Sequence, residues 1–178
     1  LFLAGGPGQA ASEAYLHYDR PFDELAKDRD FYLIDQRGTG HSNYFGCDDL
    51  MEEYKPLLFN KLDPAVVKRF HQQCLDFFPG DPRFYTTSVA VQDFENIREA
   101  LSINQWNLFG VSYGTRSAIH YMRQHPDSIR SALLDSVVPP GVSLFSEVTI
   151  NSQKTLSMLF QRCAQDSDCA SNFPNLDA

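Results

Sequence analysis

No run of apolar residues in the 178-residue chain approaches the roughly 20 needed to cross a bilayer, so no membrane span is expected. Basic residues are scarce and scattered. Lys and Arg number 15 against 23 Asp and Glu, giving a formal net charge of −8 with no basic cluster, which argues against a nucleic-acid or anionic-membrane partner. There is no CxxC pair and no His-rich tract, so no metal site and no cofactor are expected. Internal repeats and low-complexity segments are also lacking. Neither an initiating methionine nor a signal peptide is present; the chain opens on the apolar Leu1-Phe2-Leu3-Ala4 and reads as one whose N-terminus is missing.

What is there suffices for one well-buried core: 43% of residues are apolar and 13% aromatic. Apolar runs at 1–4, 31–34, 106–109 and 129–134 read as buried strands. Helical patterns separate them, at 11–18, from an Asp63-Pro64 start, from a Thr87 or Ser88 cap, over 113–124, and from about 147 to 163. Strands separated by helices predict an α/β fold with a mostly parallel sheet. Four cysteines remain. Cys163 and Cys169 bracket a polar segment that can loop back, and Cys47 and Cys74 flank a long polar stretch, so the pairings Cys47–Cys74 and Cys163–Cys169 are expected. These would place the protein in an oxidising compartment, periplasmic or secreted; the alternative is four reduced, buried cysteines in a cytosolic protein.

In a parallel α/β sheet the loops at the carboxyl ends of the strands build the site. Three of those loops stand out: GGPGQ after the first strand, DQRGTGHS after the second and GVSYG after the third. The last has the Gly-x-Ser-x-Gly spacing of a nucleophile elbow between an apolar run and a helix. Gly110 and Gly114 permit tight packing around Ser112, whose hydroxyl would stand above the sheet. The N–H of Tyr113, with one from Gly5 or Gly6, would supply an oxyanion hole. Asp35, Gln36 and Arg37 would brace the site, the Arg37 fork donating to carbonyls or a carboxylate and Asp35 accepting. Each loop also has a plainer reading as an ordinary glycine-rich turn.

The loops AGGPGQ, DQRGTGHS and GVSYGT, in this order and spacing, resemble those of the α/β-hydrolase superfamily, specifically the S33 serine peptidases, which comprise proline iminopeptidases and tripeptidyl aminopeptidases. The resemblance runs to about residue 145. It implies Ser112 as nucleophile, Tyr113 with a glycine of the GGPG loop as oxyanion hole, and Asp35 to Gly38 bracing the site from beneath. Residues 146–178, with Cys163, Cys169 and Phe173-Pro174, resemble the start of a helical cap in the secreted tripeptidyl-aminopeptidase-like branch, which gives domains 1–145 and 146–178. Ala4 stands where proline iminopeptidases usually carry histidine, and His41 where arginine is frequent, so the tripeptidyl-aminopeptidase-like branch is the nearer.

A base and an acid for the serine are harder to find. His120 and His125 follow Ser112 too soon, His41 precedes it, and His17 and His71 lie in no site loop; Asp135 reads as a strand-end anchor. The chain is therefore expected to be a fragment, inactive alone, holding the nucleophile half of a triad whose acid and histidine lie outside it. For the intact protein the expectation is a serine aminopeptidase acting through an acyl-enzyme on peptides with a free N-terminus. An esterase or lipase-like enzyme and a non-catalytic binding relative are the alternatives. Oligomeric state has no signal in the sequence.

Overall fold

Trp106 to Val111 alternates between buried and half-buried side chains, the pattern of a strand covered on both faces. In the computed structural model, which describes residues 1–18, 22, 24, 26–60, 63–143 and 146–176, this segment is the central strand β2. On its flanks lie β1 (Phe2–Leu3) and β3 (Ile129–Asp135), both parallel to it, with Phe2 opposite Phe109 and Leu108 opposite Ala132. The strand expected at 31–34 is reduced to one parallel bridge between Leu33 and Phe2, supported by a 3.1 Å bond from the Phe2 N–H to the Tyr32 carbonyl. With β1 only two residues long, that neighbour has a single register position and no ladder to extend.

Helices pack on both faces of the sheet at β1 and β2, while β3 is exposed over most of its length. On one face α1 (Ala11–Ala14) places Ala11 and Ala14 against Phe2, with Phe109 and Val111 packed around them. The Phe2 and Phe109 rings stack at 5.7 Å, and Phe22 meets Phe109 edge-on at 4.9 Å. On the other face α4 (Thr87–Ala100) and α5 (Tyr113–Gln124) bring Val91, Phe94, Ala118 and Tyr121 onto Leu1, Leu3, Trp106 and Leu108. The cap of α4 differs from expectation. Thr86, one residue before the two candidates, accepts from the Val89 N–H at 3.4 Å.

In the chain between α1 and α4 comes a helical hairpin of α2 (Asp48–Asn60) and α3 (Pro64–Asp76). Asp63 caps α3 through the Ala65 N–H, with Pro64 at the first position, as the sequence predicts. α2 was not expected: charged residues crowd its first half and Pro56 sits inside it. Its signals are Asp48 and Asp49 in the first turn, favoured by the helix dipole, and Tyr54, which is buried against the Phe70 ring at 5.5 Å. The Cys47–Cys74 disulfide ties the start of α2 to the end of α3.

A buried carboxylate locks α4 to α5. Glu95, only 5% exposed, accepts from Arg98, from the Tyr121 hydroxyl at 2.8 Å and from the Ser128 hydroxyl at 2.9 Å. Trp106 Nε1 donates to the Tyr121 oxygen at 3.1 Å, joining β2 to the network. The Arg98 guanidinium, then the Tyr121 and Ser128 hydroxyls, outweigh burial and hold the Glu95 carboxyl at about 2 against an ordinary 4.5. A carboxyl depressed on folding stabilises the fold above its ordinary value and loses that contribution as pH falls through the folded one. Glu95 should therefore contribute about 3 kcal/mol near neutrality, lost between pH 4.5 and 2. Urea midpoints measured across that range should fall steeply with acidification for the native chain, and less steeply from a lower starting value for Glu95→Gln.

Residues Leu1–Pro140 make one compact unit and Gly141–Ala178 a second. The boundary expected between 145 and 146 adjoins residues 144–145, which lie outside the described residues. The second unit consists of α6 (Ser146–Gln165) and α7 (Ser167–Asn172), joined by the Cys163–Cys169 disulfide. Asp166 caps α7 by accepting from the N–H groups of Asp168 and Cys169. Among the described residues no helix is long and apolar enough to cross a membrane.

Candidate active site

Ser112 sits in the one-residue turn between β2 and α5, with φ 52° and ψ −119°. A non-glycine residue at positive φ carries strain, and here both sides of its peptide are held. Its N–H donates to the Asp135 carbonyl at 2.9 Å, and its carbonyl accepts from the Thr115 N–H at 3.0 Å and the Thr115 hydroxyl at 2.6 Å. The turn is possible because its neighbours have no side chain. A Cβ on Gly110 would lie 2.6 Å from the Gly114 carbonyl oxygen, and one on Gly114 would lie 2.6 Å from the Leu3 carbonyl carbon and 2.8 Å from the Ala4 oxygen. α5 thus meets the end of β1 backbone to backbone.

That close approach brings the GGPG loop to the serine. Gly5 is buried, and a Cβ built on it would stand 3.4 Å from Ser112 Cβ. Gly6 is exposed and adopts φ 104°, which glycine alone accommodates readily. Tyr113 opens α5, so its N–H lies in the first turn, where the helix supplies no acceptor. Its buried side chain reaches back to α4, the phenol oxygen 2.7 Å from Thr87 Oγ1. Gly5, Gln36, Thr39 and Tyr113 line one small cavity of about 20 Å3. All three loops singled out in the sequence therefore converge beside Ser112.

The DQRG loop is braced differently from expectation. Asp35 and Arg37 do not pair. The Asp35 carboxylate accepts from the Ser12 N–H at 2.9 Å, the Ser12 hydroxyl at 3.0 Å and the His41 N–H at 2.9 Å, so it fastens α1 to the loop. Burial alone would raise its pKa; these three bonds outweigh burial and hold the carboxyl below its ordinary range. Arg37 instead forks onto Asp93 of α4, Nε donating to Oδ2 at 2.6 Å and Nη2 to Oδ1, while Nη1 donates to the Phe84 carbonyl at 3.0 Å. That pairing raises the Arg37 pKa further. The Asp35 carboxylate is already engaged by Ser12 and His41, and the Arg37 guanidinium takes a carboxylate 56 residues away instead. The Gln36 carbonyl accepts from the Thr39 N–H and hydroxyl, closing the turn.

None of the described imidazoles is hydrogen-bonded to the Ser112 hydroxyl. His120 Nε2 lies 3.0 Å from the Ser88 hydroxyl, His125 packs edge-on against Tyr121, and His71 Nδ1 lies 2.7 Å from the Val67 carbonyl. Asp135 serves the elbow through its backbone, and its exposed carboxylate accepts from the Ser136 hydroxyl at 3.0 Å. The arrangement sets Ser112 beside Gly5 and the first-turn N–H of Tyr113, groups from which a nucleophile and backbone oxyanion donors could be drawn. Sequence reasoning gave no site role to Ser12, Thr87, Asp93 or Thr115; Thr87 entered it only as a candidate helix cap. Only Thr115 had a local signal, because it directly follows the second glycine of the motif.

Comparison with known proteins agrees with this geometry. Residues 1–170 match the family model described as alpha/beta hydrolase fold. The chain is 30% identical over 139 residues to the putative hydrolase YuaR of Escherichia coli, covering 78% of this chain and 28% of that protein. It is 32% identical over 156 residues to the tripeptidyl aminopeptidase of Streptomyces coelicolor, covering 79% of this chain and 28% of that protein. Against the serine protease Hip1 of Mycobacterium tuberculosis identity is 27% over 180 residues, covering 94% and 34%. The chain thus spans about a third or less of the length of these relatives. A parallel sheet flanked by helices, a strained serine between strand and helix, and a family match over nearly its whole length together establish that the chain belongs to the α/β-hydrolase fold family.

Proposed function

We propose that the protein to which this chain belongs is a serine aminopeptidase, with Ser112 as its nucleophile. The observation that carries the reading is the Ser112 backbone at φ 52°, flanked by Gly5 on one side and the first-turn N–H of Tyr113 on the other. In this mechanism Ser112 Oγ attacks the carbonyl of a scissile peptide bond and gives up its proton to a histidine contributed from outside this chain. The oxyanion is received by the N–H of Tyr113 and of Gly5 or Gly6, and the amine leaves with the proton. Water then releases the acyl group along the reverse path. Loss of one such backbone donor would cost about 3 kcal/mol of transition-state stabilisation.

The choice of peptides with a free N-terminus is supported by similarity to the tripeptidyl aminopeptidase and by the sequence motifs. Residues 146–178 are read as the start of a cap that selects the substrate's amino end. The two disulfides support a periplasmic or secreted location, since such bonds persist where thiols are not kept reduced. The test uses the complete protein with three chromogenic substrates: a tripeptidyl naphthylamide with a free amine, its N-acetylated form, and a short acyl ester. Release from the free amine alone is the expected result. Equal turnover of the acetylated form would overturn the aminopeptidase assignment, and turnover of the ester alone would assign the site to an esterase.

A further inference from the structure

Thr115 is fully buried at the first turn of α5, yet its side chain is polar, and a buried hydroxyl is retained where its bonds are satisfied. Both of its capacities are used. Oγ1 donates to the Ser112 carbonyl at 2.6 Å and accepts from the Val138 N–H at 2.8 Å. The Ser112 N–H, on the other side of the same residue, donates to the Asp135 carbonyl at 2.9 Å. The strained nucleophile position is therefore clamped at both ends to one segment, residues 135–138, which runs from the last residue of β3 into the loop after it. One clamp is direct; the other runs through a single hydroxyl. Arg116 adds a third tie to this segment through the Pro139 carbonyl at 2.8 Å.

We propose that Thr115 is a positioning residue for the Ser112 nucleophile, its hydroxyl relaying the 135–138 segment to the Ser112 carbonyl and holding the elbow in its reactive conformation. This rests on the reading of Ser112 as nucleophile. Valine has the shape of threonine without the hydroxyl. In Thr115→Val the Ser112 carbonyl would keep only the Thr115-position N–H, the Val138 N–H would lose its acceptor, and the turn could relax toward unstrained backbone. A displacement of a reacting atom by about 1 Å costs on the order of 100-fold in rate. Thr115 touches neither substrate nor Oγ of Ser112 in this scheme, so the effect should fall on kcat and leave KM nearly unchanged.

The experiment uses the complete protein and measures the second-order rate of fluorophosphonate labelling, kcat and KM on the free-amine naphthylamide, and the thermal midpoint. It compares the native protein with Thr115→Ser, Thr115→Val and Thr115→Ala. Serine retains the hydroxyl and loses the methyl, whereas valine and alanine lose the hydroxyl but differ in packing. If the hydroxyl positions the nucleophile, labelling rate and kcat should fall about 10- to 100-fold for valine and alanine alike and stay within about threefold of native for serine. If Thr115 only fills space, rates should stay near native in every soluble variant and only the thermal midpoints should order by packing, which would overturn the proposal. Should valine fail to fold, alanine against serine decides the same question. A native protein that does not label at Ser112, judged against Ser112→Ala, would instead remove the nucleophile reading and the proposal with it.

Discussion

Replacing Ser112 by alanine in the complete protein should lower kcat on the free-amine substrate by on the order of a million-fold, the loss that follows removal of a nucleophile from an intact triad. A residual acceleration of about 10³ to 10⁴ over water should survive, because Tyr113 and the Gly5–Gly6 loop would still receive the oxyanion. Stability should separate the two jobs of residue 112. The described structure gives its hydroxyl no hydrogen bond to lose, so Ser112→Ala should shift the unfolding free energy by less than about 0.5 kcal/mol. The strain at φ 52° falls on any residue with a Cβ. Ser112→Gly should release it and, after the entropic disadvantage of glycine, gain up to about 1 kcal/mol. Urea unfolding of the three proteins, run beside the activity assay, checks both halves. An inactive Ser112→Gly more stable than the native protein would mark a position where reactivity is kept at the expense of stability. A Ser112→Ala protein that retains more than a hundredth of native kcat would remove Ser112 from the mechanism.

The elbow was legible in the sequence because every constraint on it is local. Two glycines bracket one serine, an apolar run precedes it, a helical period follows, and each requirement falls within about ten residues. Three of the four expected strands were legible for the same reason, as short apolar runs, whereas the run at 31–34 forms only a single bridge. Features that depend on distant partners were not. Asp35 and Arg37 are two residues apart and opposite in charge, yet the fold gives Asp35 to Ser12 and His41 and gives Arg37 to Asp93. Nothing in the local sequence ranks Asp93 above Asp35. α2 was hidden because Tyr54, the buried anchor among its described side chains, packs on a residue of another helix. Thr115 was visible but mute: a threonine after Gly114 shows its meaning only once β3 places Val138 beside it.

Gly114→Ala should do more damage than any other single methyl added to the site. The φ of Gly114 is not positive, so alanine could adopt its backbone; the obstacle is space. The new Cβ would lie 2.6 Å from the Leu3 carbonyl carbon and 2.8 Å from the Ala4 oxygen, and these are backbone atoms that no rotamer change can move. Either α5 lifts away from β1 or β1 gives up its register against β2. Overpacking of this kind costs about 3 kcal/mol, with larger values where backbone must shift. It would also separate the Tyr113 N–H from the GGPG loop, so the two groups proposed to receive the oxyanion would lose their common focus, and kcat in the complete protein should fall at least about 100-fold. Gly141→Ala provides the contrast. A Cβ there meets nothing within 4 Å and the backbone is not at positive φ, so its urea midpoint and kcat should match the native protein. A Gly114→Ala protein that unfolds at the native midpoint and keeps native kcat would mean that α5 and β1 are not packed backbone to backbone, and the convergence of the two loops on Ser112 would lose its physical basis.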